Sequence, residues 1–196
     1  MNPHLWWYVA RASGIVSWAL VTASVVYGLW VSLRLTRKRP RLAWVLDLHR
    51  FLGGLSVVFV GVHLAGLVAD SYTHFGLSEL LVPFASSWKP TGVAWGIVGV
   101  YLLVAVEVTS LLMRRLPRKV WHAIHLSSYG IFVVSTIHMF TAGTDAGSSA
   151  LQWSAVAGTA AVLFLTITRV LSGRPPRRQA VLPNSSERRT DPVPVA

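Results

Sequence analysis

Five long apolar stretches dominate the pattern of hydrophobic and polar positions along the chain. They cover approximately residues 5–33, 44–69, 91–113, 120–141 and 150–172. About 20 apolar residues are enough for a helix to cross the hydrocarbon core of a bilayer. Lipid offers no hydrogen-bond partner to the backbone, so each span should be helical. The pattern predicts an all-α polytopic membrane protein, a bundle of five transmembrane helices.

The composition agrees with this class. Of the 196 residues, 53% are hydrophobic and only 13% are charged, which leaves too little polar surface for a soluble domain of this length. We expect residues 1–172 to form one transmembrane helical domain. Residues 72–89 are too polar and too interrupted by proline to cross the membrane, and they predict a short surface helix. The Pro-, Arg- and Ser-rich residues 173–196 predict a disordered cytoplasmic tail.

Basic residues set the expected orientation. They concentrate in alternate connections, at 34–41 and 114–119, and again from residue 169 onward. Cytoplasmic connections carry an excess of Lys and Arg, so the N-terminus is predicted outside and the C-terminus in the cytoplasm. The expected location is the cell membrane, as a bacterial inner or plasma membrane protein. The net charge of +11 is explained by this topology and by anionic lipid headgroups, so no nucleic-acid partner is expected.

Four of the seven histidines form two widely spaced sets in the apolar stretches, His49 and His63 in the second and His125 and His138 in the fourth. These spans should run in the same direction, so His49 is expected to pair with His125 toward the cytoplasm, and His63 with His138 toward the exterior. At 1.5 Å per residue, the spacings correspond to roughly 20 Å, enough to stack two macrocycles in one bilayer. Paired imidazoles are axial ligands of porphyrin iron. We predict two b-type haems, with these four histidines as the metal ligands.

The angular positions of the histidines support this prediction only in part. His49 and His63 are about 3.9 helical turns apart and differ by roughly 40°, whereas His125 and His138 are about 3.6 turns apart and differ by roughly 140°. A distortion near Gly130, helix twisting or different rotamers would have to absorb the second offset.

Three charged residues within the spans are further candidates for a functional role. Arg11 lies in the outer third of the first span and Arg50 follows His49. Both are candidate cofactor-binding residues because a guanidinium can pair with a haem propionate, although snorkelling to headgroups is the alternative. Glu107, in the third span, could serve a proton path or contact a quinone, and a salt bridge toward the following arginines is the simpler interpretation. No catalytic residue is predicted.

Two absences narrow the chemistry. The chain has no cysteine, which excludes disulfides, thiolate-ligated haem and cysteine-bound iron–sulfur clusters. It also has no glycine-rich phosphate-binding motif and no room for a nucleotide-binding βαβ unit. A nicotinamide- or flavin-binding module would therefore belong to another polypeptide.

The histidine-containing segments resemble a known superfamily. The segment from Asp47 to Gly53 (DLHRFLG) is followed by His63, and the segment from Trp121 to Tyr129 (WHAIHLSSY) is followed by His138. This arrangement resembles the ferric reductase-like transmembrane domain of NADPH oxidases, ferric reductases and the haem subunit of the bacterial methionine sulfoxide reductase system. The resemblance covers most of residues 5–172. It implies bis-histidine haem b and electron flow from the cytoplasmic side outward, whereas several relatives have six spans.

The predicted function is a haem b membrane oxidoreductase subunit. We expect the donor to be a separate cytoplasmic flavoprotein or a membrane quinol. The extracytoplasmic acceptor would be a ferric complex, a flavin-carrying protein or oxygen. Two alternatives remain open. One is a transition-metal or proton transporter that uses the intramembrane histidines. The other is a noncatalytic membrane assembly subunit, which would tolerate loss of all four histidines.

Overall fold

The computed structural model describes residues 4–33, 39–70 and 75–172, and within these ranges it is helical and has no strand. The elements are α1 (Leu5–Leu33), α2 (Arg39–Ala69), α3 (Leu77–Leu81), α4 (Pro90–Leu111), α5 (Arg118–Leu126), α6 (Ser128–Thr141) and α7 (Ser149–Leu171). The predicted tail at 173–196 and the first basic cluster lie largely outside the described residues.

Within the residues that the structure describes, five helical stretches are long and apolar enough to cross a membrane. They are Leu5–Leu33, Ala43–Ala69, Pro90–Leu111, Arg118–Thr141 and Ser149–Leu171. The chain is thus a multi-pass all-α membrane protein, as predicted, and the spans begin and end close to the bounds that the hydrophobic pattern gave. Which side the termini face stays a prediction.

Helix α1 is the central element of the bundle. It packs along α2 over much of its length and also contacts α6 and α7. Where α2 crosses α1, a Cβ added to Gly66 would lie 3.0 Å from the backbone nitrogen of Ala10. Small residues at such crossings let helix backbones approach closely, which is how helices gain packing contacts when lipid removes the hydrophobic driving force.

Apolar side chains from several helices form the interior. One cluster joins α1, α6 and α7, and its buried members are Val25, Leu29, Phe132, Val162 and Leu165. A second joins α1, α4 and α6, with Val21, Leu103, Val106 and Ile131. Trp18 on α1 donates its indole N–H to the Thr136 hydroxyl on α6 at 3.0 Å. These contacts hold α6 between α1 and α4.

The helices that carry the four histidines are held mainly by other helices. Helix α2 packs along α1, and α6 packs along α4, whereas α2 and α6 share no extensive contact within the described residues. The imidazoles therefore approach one another across a gap between α2 and the α5–α6 pair, with α1 and α4 on its two sides.

The predicted surface helix is present as α3, a single short turn. The Gly76 backbone N–H donates to the Glu79 carboxylate at 2.8 Å, which caps its start. Tyr101 on α4 donates its hydroxyl to the Leu81 carbonyl. Leu77 and Phe84 are 71% and 67% exposed, as expected of apolar side chains in the headgroup region. Residues 71–74 of this connection are not among those described.

Candidate functional site

The four intramembrane histidines form two close pairs. His49 on α2 and His125 on α5 have ring centroids 5.9 Å apart with an interplanar angle of 79°. His63 on α2 and His138 on α6 have centroids 6.4 Å apart and an angle of 80°. We call these the first pair and the second pair. The partners within each pair are the ones expected from two spans running in the same direction.

Backbone carbonyls orient three of the four imidazoles. In each case Nδ1 is bonded to a carbonyl oxygen of a different helix: His49 to Ser24 at 2.9 Å, His63 to Ala10 at 2.7 Å and His138 to Gly92 at 2.8 Å. A carbonyl oxygen only accepts, so Nδ1 carries the proton. In the neutral ring, Nε2 then holds the lone pair that a metal requires. These imidazoles are thus set in the tautomer of an Nε2 ligand.

His125 is held differently. Its Nδ1 lies 3.5 Å from the Ser110 hydroxyl on α4, a distance at the limit of a hydrogen bond. Trp121, one turn earlier on α5, stacks on the imidazole with centroids 5.0 Å apart and planes 21° apart. The Trp121 Nε1 is buried and is the one such side-chain atom without a hydrogen-bond partner among the described residues. Stacking is therefore the main constraint on the His125 ring.

Glycines on the neighbouring helices make room for the same three carbonyl-bonded imidazoles. A Cβ added to Gly14 would lie 3.0 Å from His63, one added to Gly28 would lie 3.1 Å from His49, and one added to Gly96 would lie 2.7 Å from His138. Carbon atoms in contact prefer about 3.5–4.0 Å. Sequence reasoning missed these glycines, because nothing in their own segments shows that they oppose a histidine in another span.

A cavity of about 200 Å³ extends from the second pair. Its walls are predominantly apolar and come mainly from α1, α2, α4 and α6, with further residues from α3, α7 and the connections. Aromatic side chains contribute to it, among them Trp7, Trp18, Phe75 and Trp88. Arg11 and Asp145 are its charged lining residues. A cavity with apolar walls and a few polar groups is the usual form of a cofactor site.

The two arginines proposed to bind the cofactor both have carboxylate partners. Arg11 pairs with Asp145 in the α6–α7 connection, where its Nε donates to one carboxylate oxygen at 2.9 Å and its Nη2 contacts the other. Arg50 lies 3.5 Å from Asp47, and both side chains are more than half exposed. A contact from either arginine to a haem propionate stays a prediction.

A break in the fourth span lies between His125 and His138. Helix α5 ends at Leu126 and α6 begins at Ser128. Between them, the Ser127 backbone N–H and hydroxyl both bond to the Ile124 carbonyl, at 3.0 and 2.6 Å. A hydroxyl that bonds to the preceding turn competes with regular helix hydrogen bonds. The distortion expected near Gly130 therefore occurs at Ser127.

His122 and Glu107 lie on α5 and α4, the helices next to the first pair. His122 is exposed and contacts the Trp121 ring, and it is not one of the paired imidazoles. The simpler interpretation of Glu107, a salt bridge to Arg114 or Arg115, is wrong, because the ion pairs formed between described residues do not include it. Its carboxyl instead lies against Gly53 on α2.

The comparisons with known proteins identify a family. The model of the family described as ferric reductase-like transmembrane component matches residues 13–136, more than half of the chain. The chain belongs to this family. The matched range of this ferric reductase-like chain contains His49, His63 and His125 and ends just before His138. Membership indicates a membrane oxidoreductase component. No individual curated protein and no solved structure is significantly similar to the chain.

Proposed function

We propose that this ferric reductase-like chain is a haem b subunit that carries electrons across the membrane. The observation that supports the proposal most strongly is the distance within each histidine pair. A metal–nitrogen bond of about 2.0 Å and about 1.1 Å from nitrogen to ring centre would place two opposed imidazoles with centroids about 6.2 Å apart. The distances of 5.9 and 6.4 Å lie on either side of this value.

The donor set also fits a porphyrin iron. Each site offers two imidazoles, the axial ligand set of a bis-histidine haem, whereas a bare zinc ion usually takes four ligands. The first porphyrin would be held by His49 and His125 and the second by His63 and His138. Such a group supplies reversible one-electron transfer. With both axial positions filled by protein, the chain would pass electrons on without binding a substrate at the metal.

The protein contributes orientation and the exclusion of water. The Nδ1 bonds fix the rings of His49, His63 and His138, and the apolar walls around the second pair keep the site dry. Bonds from ligand imidazoles to backbone carbonyls also raise ligand basicity. The second pair has two such bonds and the first pair has one. The two sites should therefore differ in midpoint potential.

The electron donor and the electron acceptor would be other molecules. A cytoplasmic flavoprotein or a membrane quinol would deliver electrons to the first pair at the basic face. An extracytoplasmic acceptor, such as a ferric complex or a flavin-carrying protein, would receive them near the second pair. The location that fits this direction is a bacterial inner or plasma membrane. Copurification of a flavoprotein with the tagged full chain would identify the donor directly.

Haem quantification on the purified full chain tests the proposal. We expect a b-type reduced-minus-oxidised spectrum and two porphyrins per chain. His63→Ala and His125→Ala should each retain one porphyrin, because each removes a ligand from a different pair. His122→Ala is the matched control, an exposed histidine on the same helix as His125, and it should retain two. A chain that folds with haem supplied and shows no b-type absorption refutes the proposal.

A further inference from the structure

Glu107 lies on the face of α4 that contacts both histidine pairs. On this helix Gly96 lies against His138, Leu103 lines the cavity of the second pair, and Ser110 approaches His125. Residues three or four apart share one helix face, and Glu107 is four residues after Leu103 and three before Ser110. Its carboxyl is therefore located between the levels of the two pairs.

The contact between Glu107 and α2 independently places the carboxyl between the levels of the two pairs. A Cβ added to Gly53 would lie 2.5 Å from the Glu107 Oε1, so the carboxyl occupies the space that a side chain at position 53 would fill. Gly53 follows His49 by four residues and precedes His63 by ten. At 1.5 Å per residue, the carboxyl is about 6 Å along the helix from the first-pair level and about 15 Å from the second-pair level.

No described charged group compensates a charge on Glu107. The titratable and charged groups that the structure describes on the elements packed against α4, and just after it, are Asp47, His49, Arg50 and His63 on α2, Glu79 on α3, Arg114 and Arg115 after α4, Arg118, Lys119, His122 and His125 on α5, and Tyr129 and His138 on α6. None of them forms an ion pair or hydrogen bond with the carboxyl within the described part of the chain, and none acts on it electrostatically. Arg50 is directed to Asp47 instead.

We propose that Glu107 is a proton acceptor coupled to reduction of the first site. An electron added about one helical turn from an uncompensated carboxylate meets repulsion that low-dielectric surroundings strengthen, and a proton on the carboxylate removes it. The carboxyl lies four residues, about 6 Å, from the end of α4 at Leu111, so protons from the adjacent aqueous face can reach it. The inference rests on the proposed function, since it requires a redox centre at His49 and His125.

In the proposed coupling, one electron and one proton arrive together. A one-electron donor reduces the first site, and the Glu107 carboxylate takes one proton from water to become a carboxylic acid. When the electron leaves toward the second pair, the acid returns the proton. Net charge near the first site is thus the same before and after the electron arrives. Glu107 acts on the redox centre through charge and is a positioning residue, not a ligand.

Redox titration of the haem-loaded full chain at several pH values tests this coupling. One component should fall by about 59 mV for each tenfold decrease in proton concentration, the value for one proton per electron. The pH-dependent component should be the one that remains in His63→Ala. Glu107→Gln, a neutral isostere, should abolish the slope. Glu79→Gln is the matched control, a carboxyl on α3 that bonds to the Gly76 backbone N–H, and should leave the slope intact.

An infrared measurement on the unaltered chain provides a second readout, and the Glu107→Asp variant assigns the band to this residue. The reduced-minus-oxidised difference spectrum should gain a carboxylic acid C=O band that Glu107→Asp retains at a shifted position. A flat potential across the pH range, a slope that persists in Glu107→Gln, or no carboxylic acid band overturns the coupling and leaves the proposed function standing. Absence of porphyrin overturns both.

Discussion

Replacing Gly96 with alanine should weaken the second site selectively. The added Cβ would lie 2.7 Å from Cε1 and 2.8 Å from Nδ1 of His138, whereas carbon atoms in contact prefer about 3.5–4.0 Å. The new Cβ is fixed to the helix backbone and cannot move away, so the imidazole would have to shift by about 1 Å. That movement would stretch the 2.8 Å bond from Nδ1 to the Gly92 carbonyl toward the limit of a hydrogen bond.

The size of the effect follows from that bond. A buried donor that loses its acceptor costs about 1–3 kcal/mol, so the affinity of the second site for its porphyrin should fall roughly 5- to 150-fold. The two remaining glycine contacts provide a graded series. Gly14→Ala places its Cβ 3.0 Å from His63, and Gly28→Ala places its Cβ 3.1 Å from His49. Both should have smaller effects, and the second should act on the first pair.

The assay is haem content after washing with a haem-binding competitor, together with the absorption spectrum. Gly99→Ala is the matched control, because it lies on the same helix and its Cβ would make only a 3.4 Å contact with Val134. The control should retain both porphyrins. If Gly96→Ala also retains two porphyrins with an unchanged spectrum and unchanged midpoints, then Gly96 does not make room for a ligand, and the assignment of His138 loses its geometric basis.

Two further predictions concern contacts around the sites. Arg11→Leu should lower the midpoint potential of the second site, because it leaves Asp145 without its cation at the cavity, and adding Asp145→Asn should reverse the change. An unaltered titration in the folded single variant would refute this role. Trp18→Phe removes the hydrogen bond from the indole to Thr136 and should lower the free energy of unfolding by about 0.5–1.5 kcal/mol. An unfolding temperature equal to that of the unaltered chain would contradict this prediction.

The spans could be predicted from sequence because length and apolar content alone determine them. The pairing of His49 with His125 and of His63 with His138 also followed, since two helices separated by one intervening span run in the same direction. The break at Ser127 did not follow. Serine is compatible with an unbroken helix, and its competing bond to Ile124 depends on local geometry that periodicity does not encode.

Interactions between distant segments were the least predictable part. Arg11 and Asp145 are 134 residues apart, and neither segment shows that the α6–α7 connection reaches α1. Glu107 was expected to pair with an arginine nearby in sequence, yet its carboxyl lies against Gly53 on another helix. The direction of a side chain on a span can be estimated from helix periodicity, but the residue that faces it depends on how the helices pack.

Electron paramagnetic resonance of the oxidised, purified chain tests the central claim most directly. The two imidazole planes of each pair lie at 79° and 80° to one another. If both rings of a pair bound one iron at these angles, two iron orbitals would be nearly degenerate and the low-spin ferric signal would be strongly anisotropic. The account predicts two such signals per chain, of which His63→Ala and His125→Ala each remove a different one. A purely high-spin signal or no haem signal from the unaltered chain would contradict the account. Signals that neither substitution changes would contradict it as well.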